Sequence, residues 1–169
     1  DMAIYETLVR LTHGNEALLH PFVDSKGNFG KQYSRDMAFA APRYTEVKMD
    51  KICEEIFKDI DKNTVDFVDN YDGTCKEPVL LPTVFPNILA NPNQGIAVGM
   101  ASSICSFNLQ ELCDTTIAFL KNEKVDISKT LRAPDFPSGG QLIYNKKEMD
   151  KIYRTGRGSF KIRAKYRYD

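Results

Sequence analysis

Three prolines spaced four apart, Pro78, Pro82 and Pro86, stand near the middle of this chain and limit what it can fold into. Proline has no amide hydrogen and pushes the residue before it towards extended geometry, so neither a long helix nor an interior strand can run through this stretch. The regular structure must therefore be assembled from shorter pieces on either side. At 169 residues the chain can bury one good core or two small ones.

Upstream of the prolines, residues 2–12 carry apolar side chains at Met2, Ile4, Tyr5, Leu8 and Leu11, which predicts a short helix stopped by His13-Gly14-Asn15. Asp24 to Gly30 is turn chemistry, with glycines free to take positive φ. Its spacing fits neither a P-loop nor a dinucleotide fingerprint. From Thr45 to Lys62, the set Val47, Met49, Ile52, Cys53, Ile56, Phe57 and Ile60 recurs every three or four residues and predicts one amphipathic surface helix. Its charged face, with Asp50, Lys51, Glu54, Glu55 and Lys58, reads as solvation.

Val65 to Tyr71 predicts a short strand closed by the Asp72-Gly73 turn. A second helix is expected from Asn108, which can cap it with Glu111 three residues on, burying Leu109, Leu112, Cys113, Thr116, Ile117 and Leu120. Pro134 to Gly140 is a loop before a strand-like Gln141–Tyr144. The last segment alternates: Phe160, Ile162, Ala164 and Tyr166 share one face, and Lys161, Arg163, Lys165 and Arg167 the other. That pattern predicts a half-buried strand. Its basic row reads equally as phosphate-contacting equipment or as a lysine-guarded edge. The chain opens inside a helical pattern and closes inside a strand-like one, so a piece of a longer polypeptide is expected.

Hydrophobic residues make up 42% and charged residues 27%, as in an ordinary globular protein. Formal net charge is zero, yet basic residues crowd the C-terminal end from Lys151, with no acidic residue before Tyr168, whereas 46–72 leans acidic. Such asymmetry suits a polyanionic partner on one face. Four scattered cysteines and two histidines lack zinc-site spacing, so no metal site is expected and free thiols in a reducing cytoplasm are the default. No apolar run is long enough to cross a bilayer.

The run Ala41-Pro42-Arg43-Tyr44-Thr45-Glu46 carries chemistry. A phosphodiester under attack needs a cation near its oxygens, and a tyrosine oxygen can hold the phosphoryl group covalently. An Arg-Tyr pair in isolation also reads as surface packing. Pro42 should hold Ala41 extended and delay the helix until after Tyr44.

This run resembles the active-site tyrosine motif of the type IIA DNA topoisomerases, specifically the A-subunit family of DNA gyrase and topoisomerase IV. The resemblance covers essentially the whole chain. It extends to Asp1–Glu6, the turn Phe22–Gly30, Thr64–Gly73, Leu81–Asn87, Gly95–Ala101, Pro134–Pro137 and Tyr153–Gly158. The implied fold is α+β: the C-terminal part of a winged-helix DNA-cleavage domain over 1–67, then the start of the α/β tower domain over 68–169. Tyr44 and Arg43 would be catalytic. Tyr44 would hold a transient 5′-phosphotyrosyl ester, and Arg43 would stabilise charge on the phosphate. Ile96 matches the family's wedge between base pairs, although Ile96 and Val98 read from the residues alone as buried strand positions. Arg157, Lys161, Arg163 and Lys165 would contact DNA.

The family further implies Mg2+ and ATP, both held mainly by a Toprim/ATPase B subunit, and double-stranded DNA as substrate. It implies an A2B2 assembly around a homodimer of A subunits, located in the bacterial cytoplasm with the nucleoid. An isolated fragment would be inactive. Met2 departs from the family, which usually has a small hydroxyl residue there, while the acidic position is kept at Glu6. These two positions help anchor quinolones through a water-bridged metal, and a thioether cannot supply that hydrogen bond. Reduced fluoroquinolone sensitivity with normal cleavage is the implied outcome. Two other classes stay open: a non-catalytic DNA-bending module, and a structural dimerisation fragment.

Overall fold

In the computed structural model, residues 2–32, 38–121 and 124–168 are described. They form two compact units: the residues up to Asn15 with His20–Asn87, and Glu16–Leu19 with the residues from Ile88 onward.

In the first unit, helix α1 spans Met2–Arg10 and buries Tyr5 and Val9, one turn apart on its inner face. With Phe29 they make a small core. The helix ends as its sequence suggests. Thr12 Oγ1 and Asn15 Nδ2 both donate to the Val9 carbonyl, at 2.7 and 2.8 Å, and a single 3-10 turn follows over His13–Asn15. Strand β1, Val23–Lys26, pairs antiparallel with β2, Glu46–Met49, in the register Val23↔Met49 to Lys26↔Glu46.

The single helix expected over 45–62 is therefore corrected. Glu46–Met49 form a strand instead, and helix α2 is only Ile52–Phe57, burying Cys53 and Ile56. The spacing of Val47 and Met49 fits a helical stripe, but both side chains are exposed. Strand pairing with β1 wins through its ladder hydrogen bonds. Two exposed cross-strand ion pairs sit on the ladder, Lys48 with Asp24 at 3.2 Å and Lys26 with Glu46 at 3.7 Å, and each contributes little. Lys58 leaves helical geometry at ψ 134° and Asp59 adopts positive φ, so α2 does not continue to Lys62.

The strand expected near Val65 is β3, Phe67–Asp69, and it pairs with β4, Lys76–Pro78, around the Asn70–Cys75 turn. Pro78 occupies the last ladder position. Pro82 and Pro86 lie in irregular chain that ends in a one-turn helix, α3, Asn87–Ala90.

In the second unit, β5 (Asn93–Ala97) and β6 (Met100–Ile104) form a hairpin. Helix α4, Leu109–Lys121, starts where expected. The Asn108 side-chain oxygen accepts from the amides of Gln110 and Glu111 at 3.0 and 3.2 Å, a cap worth about 1 kcal/mol. Leu112 and Thr115 are its buried residues. The expected burial of Ile117 and Leu120 is corrected, since Leu120 is 80% exposed and only the first half of the helix meets the core.

A short helix α5, Ile127–Thr130, follows. Strand β7 is Gln141–Leu142, helix α6 is Lys146–Thr155, and β8 is Ile162–Arg163, paired with β7. The half-buried C-terminal strand is also corrected. Only two residues pair, and of the alternating apolar set only Phe160 is partly covered. Phe107, Leu112, Leu131 and Met149 are the large buried apolar residues of this unit. Helices and four two-stranded antiparallel sheets among the described residues make the chain α+β. No helix among them is long and apolar enough to cross a membrane.

Candidate active site

Pro42 sets the local backbone. Ala41 is extended, at φ −62° and ψ 149°, and Pro42–Tyr44 form one 3-10 turn with proline at its start. Extended geometry at Ala41 is as expected, but no α-helix follows Tyr44. The chain enters β2 instead, leaving the phenol on a tight turn with 68% of Tyr44 exposed. The Arg43 guanidinium carbon lies 4.8 Å from the centre of the Tyr44 ring, within cation–π range. One exposed turn thus carries both a phenol and a planar cation suited to phosphate.

The turn's backbone is held firmly although its side chains are free. On one side, Ala40 N donates to the Asn28 carbonyl at 2.8 Å. On the other, Thr45 N donates to the Pro42 carbonyl at 3.2 Å. The turn expected from Asp24 to Gly30 is corrected in its first part, since Asp24–Lys26 belong to β1; Gly27, just after the strand, packs directly beneath. At Gly27, φ is +106°, and a Cβ there would lie 3.0 Å from the Tyr44 carbonyl oxygen and 3.2 Å from the Thr45 methyl. That turn is a seat for the backbone of Tyr44 and Thr45. From α1, the Tyr5 hydroxyl donates to the Ala40 carbonyl at 2.8 Å and meets Thr45 Oγ1 at 3.0 Å. Sequence reasoning missed Tyr5, Gly27 and Thr45. The available signal was a tyrosine, with a polar tip, at a core position of an otherwise apolar stripe.

The outer face of α1 carries Met2 and Glu6, four residues apart and both exposed. Glu6, Arg10, Phe29, Lys31 and Phe39 border a cleft of about 330 Å³ in this unit. At the other end of the unit, His13 Nε2 lies 3.1 Å from Asp50 Oδ2, and Asp50 Oδ1 accepts from the Ile52 amide at 3.2 Å at the start of α2. The hydrogen bond from His13, followed by that amide, holds the Asp50 carboxyl below its ordinary pKa.

A carboxyl lowered on folding stabilises the fold above its unfolded pKa, and the contribution is lost as pH falls through the folded value. Asp50→Asn should therefore shrink the difference in urea midpoint between pH 6 and pH 3, and an unchanged difference would count against it.

Burial pushes the Cys53 and Cys105 thiols up. Burial also raises the Tyr153 hydroxyl, which donates to the Leu131 carbonyl.

In the second unit Ile96 is 82% exposed on β5, opposite Ala101, and Val98 and Met100 protrude beside it. The reading of Ile96 and Val98 as buried strand residues is thus corrected. Next to Ile96, Gly95 pairs with Ser102, and a Cβ at Gly95 would come within 2.7 Å of the Ser102 hydroxyl oxygen. Arg157 follows the α6 stop at Gly156, whose φ is +67°, and its amide donates to Thr155 Oγ1 at 3.2 Å. Lys161, Arg163 and Lys165 are exposed. The site residues thus fall in two groups: Met2, Glu6, Arg43 and Tyr44 in the first unit, and Ile96 with the basic residues in the second. Among the described residues no three His, Cys, Asp or Glu side chains converge to hold a metal ion.

Comparison with known proteins agrees with the motif. The family model for the A subunit of DNA gyrase/topoisomerase IV matches residues 1–169. The A subunit of DNA topoisomerase 4 from Rickettsia bellii is 47% identical over 98% of this chain, which covers 23% of that protein. The DNA gyrase A subunit of Borreliella burgdorferi is 46% identical, again over 98% of the chain and 20% of the relative. That of Campylobacter jejuni is 48% identical, over 98% and 19%. The chain spans about a fifth of the length of these relatives. With the family match running from the first residue to the last, this chain belongs to the A-subunit family of DNA gyrase and topoisomerase IV.

Proposed function

We propose that this chain is the DNA-cleaving segment of a type IIA topoisomerase A subunit, with Tyr44 as nucleophile. The observation that carries the reading is the Arg43 guanidinium over the exposed Tyr44 ring, on a turn whose backbone is held on both sides. The Tyr44 oxygen attacks the phosphorus and loses its proton. The bond from phosphorus to the 3′ oxygen breaks, and that oxygen leaves as the 3′ hydroxyl after taking up a proton. The 5′ phosphate stays on Tyr44 as an ester, which conserves the energy of the broken bond for resealing. Arg43 offers paired N–H donors to the non-bridging oxygens, where charge grows.

Ile96 is the wedge of this reading. An exposed isoleucine beside a glycine can enter a base step and kink the duplex, at a cost of a few kcal/mol. Arg157, Lys161, Arg163 and Lys165 would meet the phosphates of the bent arms. Residues 1–67 belong to the winged-helix part and 68–169 to the tower in this assignment. In this reading, as the family implies, magnesium and ATP belong mainly to a B subunit in an A2B2 assembly.

Trapping tests the reading. The full-length A subunit carrying this segment, its B partner, magnesium and end-labelled DNA are stopped with detergent and examined for protein-linked 5′ ends. An adduct is expected. Steeply salt-dependent binding by an assembled complex, with no adduct, would favour the DNA-bending module instead. Binding with little salt dependence would favour a structural fragment. In the same assay Met2→Ser, which returns a hydroxyl to the outer face of α1, should raise fluoroquinolone-stabilised breaks without changing drug-free cleavage. No gain would remove the drug-contact role of that face.

A further inference from the structure

We infer that Tyr5 is a positioning residue for Tyr44, a clamp that fixes the nucleophile's turn to helix α1. The inference rests on the reading of Tyr44 as nucleophile. Tyr5 is only 7% exposed, and its ring is gripped by Phe29 at 6.1 Å and, edge-on, by Phe39 at 5.7 Å between centroids. From that fixed ring one hydroxyl reaches both flanks of the Pro42–Tyr44 turn: the Ala40 carbonyl before it and Thr45 Oγ1 after it.

Thr45 Oγ1 is also 3.1 Å from the Pro42 carbonyl. Two hydroxyl protons thus serve three contacts. Tyr5 gives its proton to Ala40, and Thr45 shares its own between Tyr5 and Pro42. The clamp holds residues 40, 42 and 45 while leaving the Tyr44 side chain to solvent. An in-line attack needs this combination, because backbone placement must be kept to within a fraction of an ångström while the phenol stays accessible. The same helix carries the exposed Met2 and Glu6 at positions three before and one after Tyr5, so their face adjoins the one that holds the clamp.

Removing the Tyr5 oxygen while keeping the ring isolates the clamp from the core. In the complex of the full-length A protein with its B partner, Tyr5→Phe should slow single-turnover formation of the protein-linked 5′ end on the order of ten- to a hundred-fold. DNA affinity should stay within about two-fold, since Tyr5 is buried. Thr45→Val should slow the same step, the double variant should be little slower than the slower single variant, and Thr45→Ser, which keeps the hydroxyl, should restore it.

A wild-type cleavage rate for Tyr5→Phe overturns the inference. So do additive losses in the double variant, or failure of Thr45→Ser to restore the rate. If Tyr5→Phe does not fold, Thr45→Val against Thr45→Ser decides the question alone, because Thr45 lies at the edge of the core. Absence of any adduct from the wild-type assembly would sink the nucleophile reading itself. A wild-type adduct with a normal Tyr5→Phe rate sinks only the clamp.

Discussion

Tyr44→Phe should abolish the protein-linked 5′ end altogether while leaving DNA binding and thermal stability close to wild type. The substitution removes one atom, the oxygen that would carry the ester. The ring stays on an exposed turn and still offers its face to Arg43. The adjacent Thr45 hydroxyl cannot take over, because its Oγ1 is turned inward to Tyr5 and Pro42. Arg43 should behave differently. Arg43→Ala leaves the Tyr44 phenol in place and would remove donors to the developing phosphate charge, a loss expected to lower the rate by roughly a hundred- to a thousand-fold. Arg43→Lys should recover part of it, since a lysine restores charge without the planar fork. The two series separate by kinetics: the Tyr44 variant gives no adduct at any time, and the Arg43 variants give one slowly. Adduct formation by Tyr44→Phe would move the nucleophile elsewhere.

The Arg43-Tyr44 pair and its turn were legible in the sequence, and the contacts that seat them were not. Arg43 and Tyr44 are adjacent, and Pro42 dictates extended backbone at Ala41 by local sterics alone, so the motif can be read without a fold. The contacts that seat it join residues 35 and 40 apart in sequence, Tyr5 with Ala40 and Tyr5 with Thr45. Spacing cannot show that the polar tip of a stripe tyrosine reaches a loop so far away.

Helix α4 was legible because Asn108 caps it locally. Strand β2 was not, because Val47 and Met49 fit a helical period, and only pairing with β1 decides between the two. Helix α6 has a cap at Asn145, which accepts from Lys147 and Glu148, and a stop at Gly156. Its sole buried residue is Met149, so no apolar stripe announced it. The basic C-terminal row was legible as charge but not as structure, since two paired residues do not make a half-buried strand.

Gly27→Ala should impair cleavage more than its effect on stability explains. Two costs arise at this position. A φ of +106° is a conformation that side-chain-bearing residues rarely adopt, and forcing it costs about 1–3 kcal/mol. The new methyl would also stand 3.0 Å from the Tyr44 carbonyl oxygen and 3.4 Å from the Thr45 Cα. Those neighbours are backbone, so relief comes only by moving the Tyr44 turn itself by a few tenths of an ångström. Gly139→Ala supplies the control: Gly139 also has positive φ, +70°, but an added Cβ there meets nothing within 4 Å. Both variants should lower the urea midpoint. Only Gly27→Ala should also slow single-turnover cleavage by about ten-fold or more with DNA affinity retained, because displacement of a reacting group acts on rate rather than on binding. Equal cleavage rates for the two variants, at similar loss of stability, would mean that the glycine turn is an ordinary tight turn and that the seat beneath Tyr44 plays no part in aligning it.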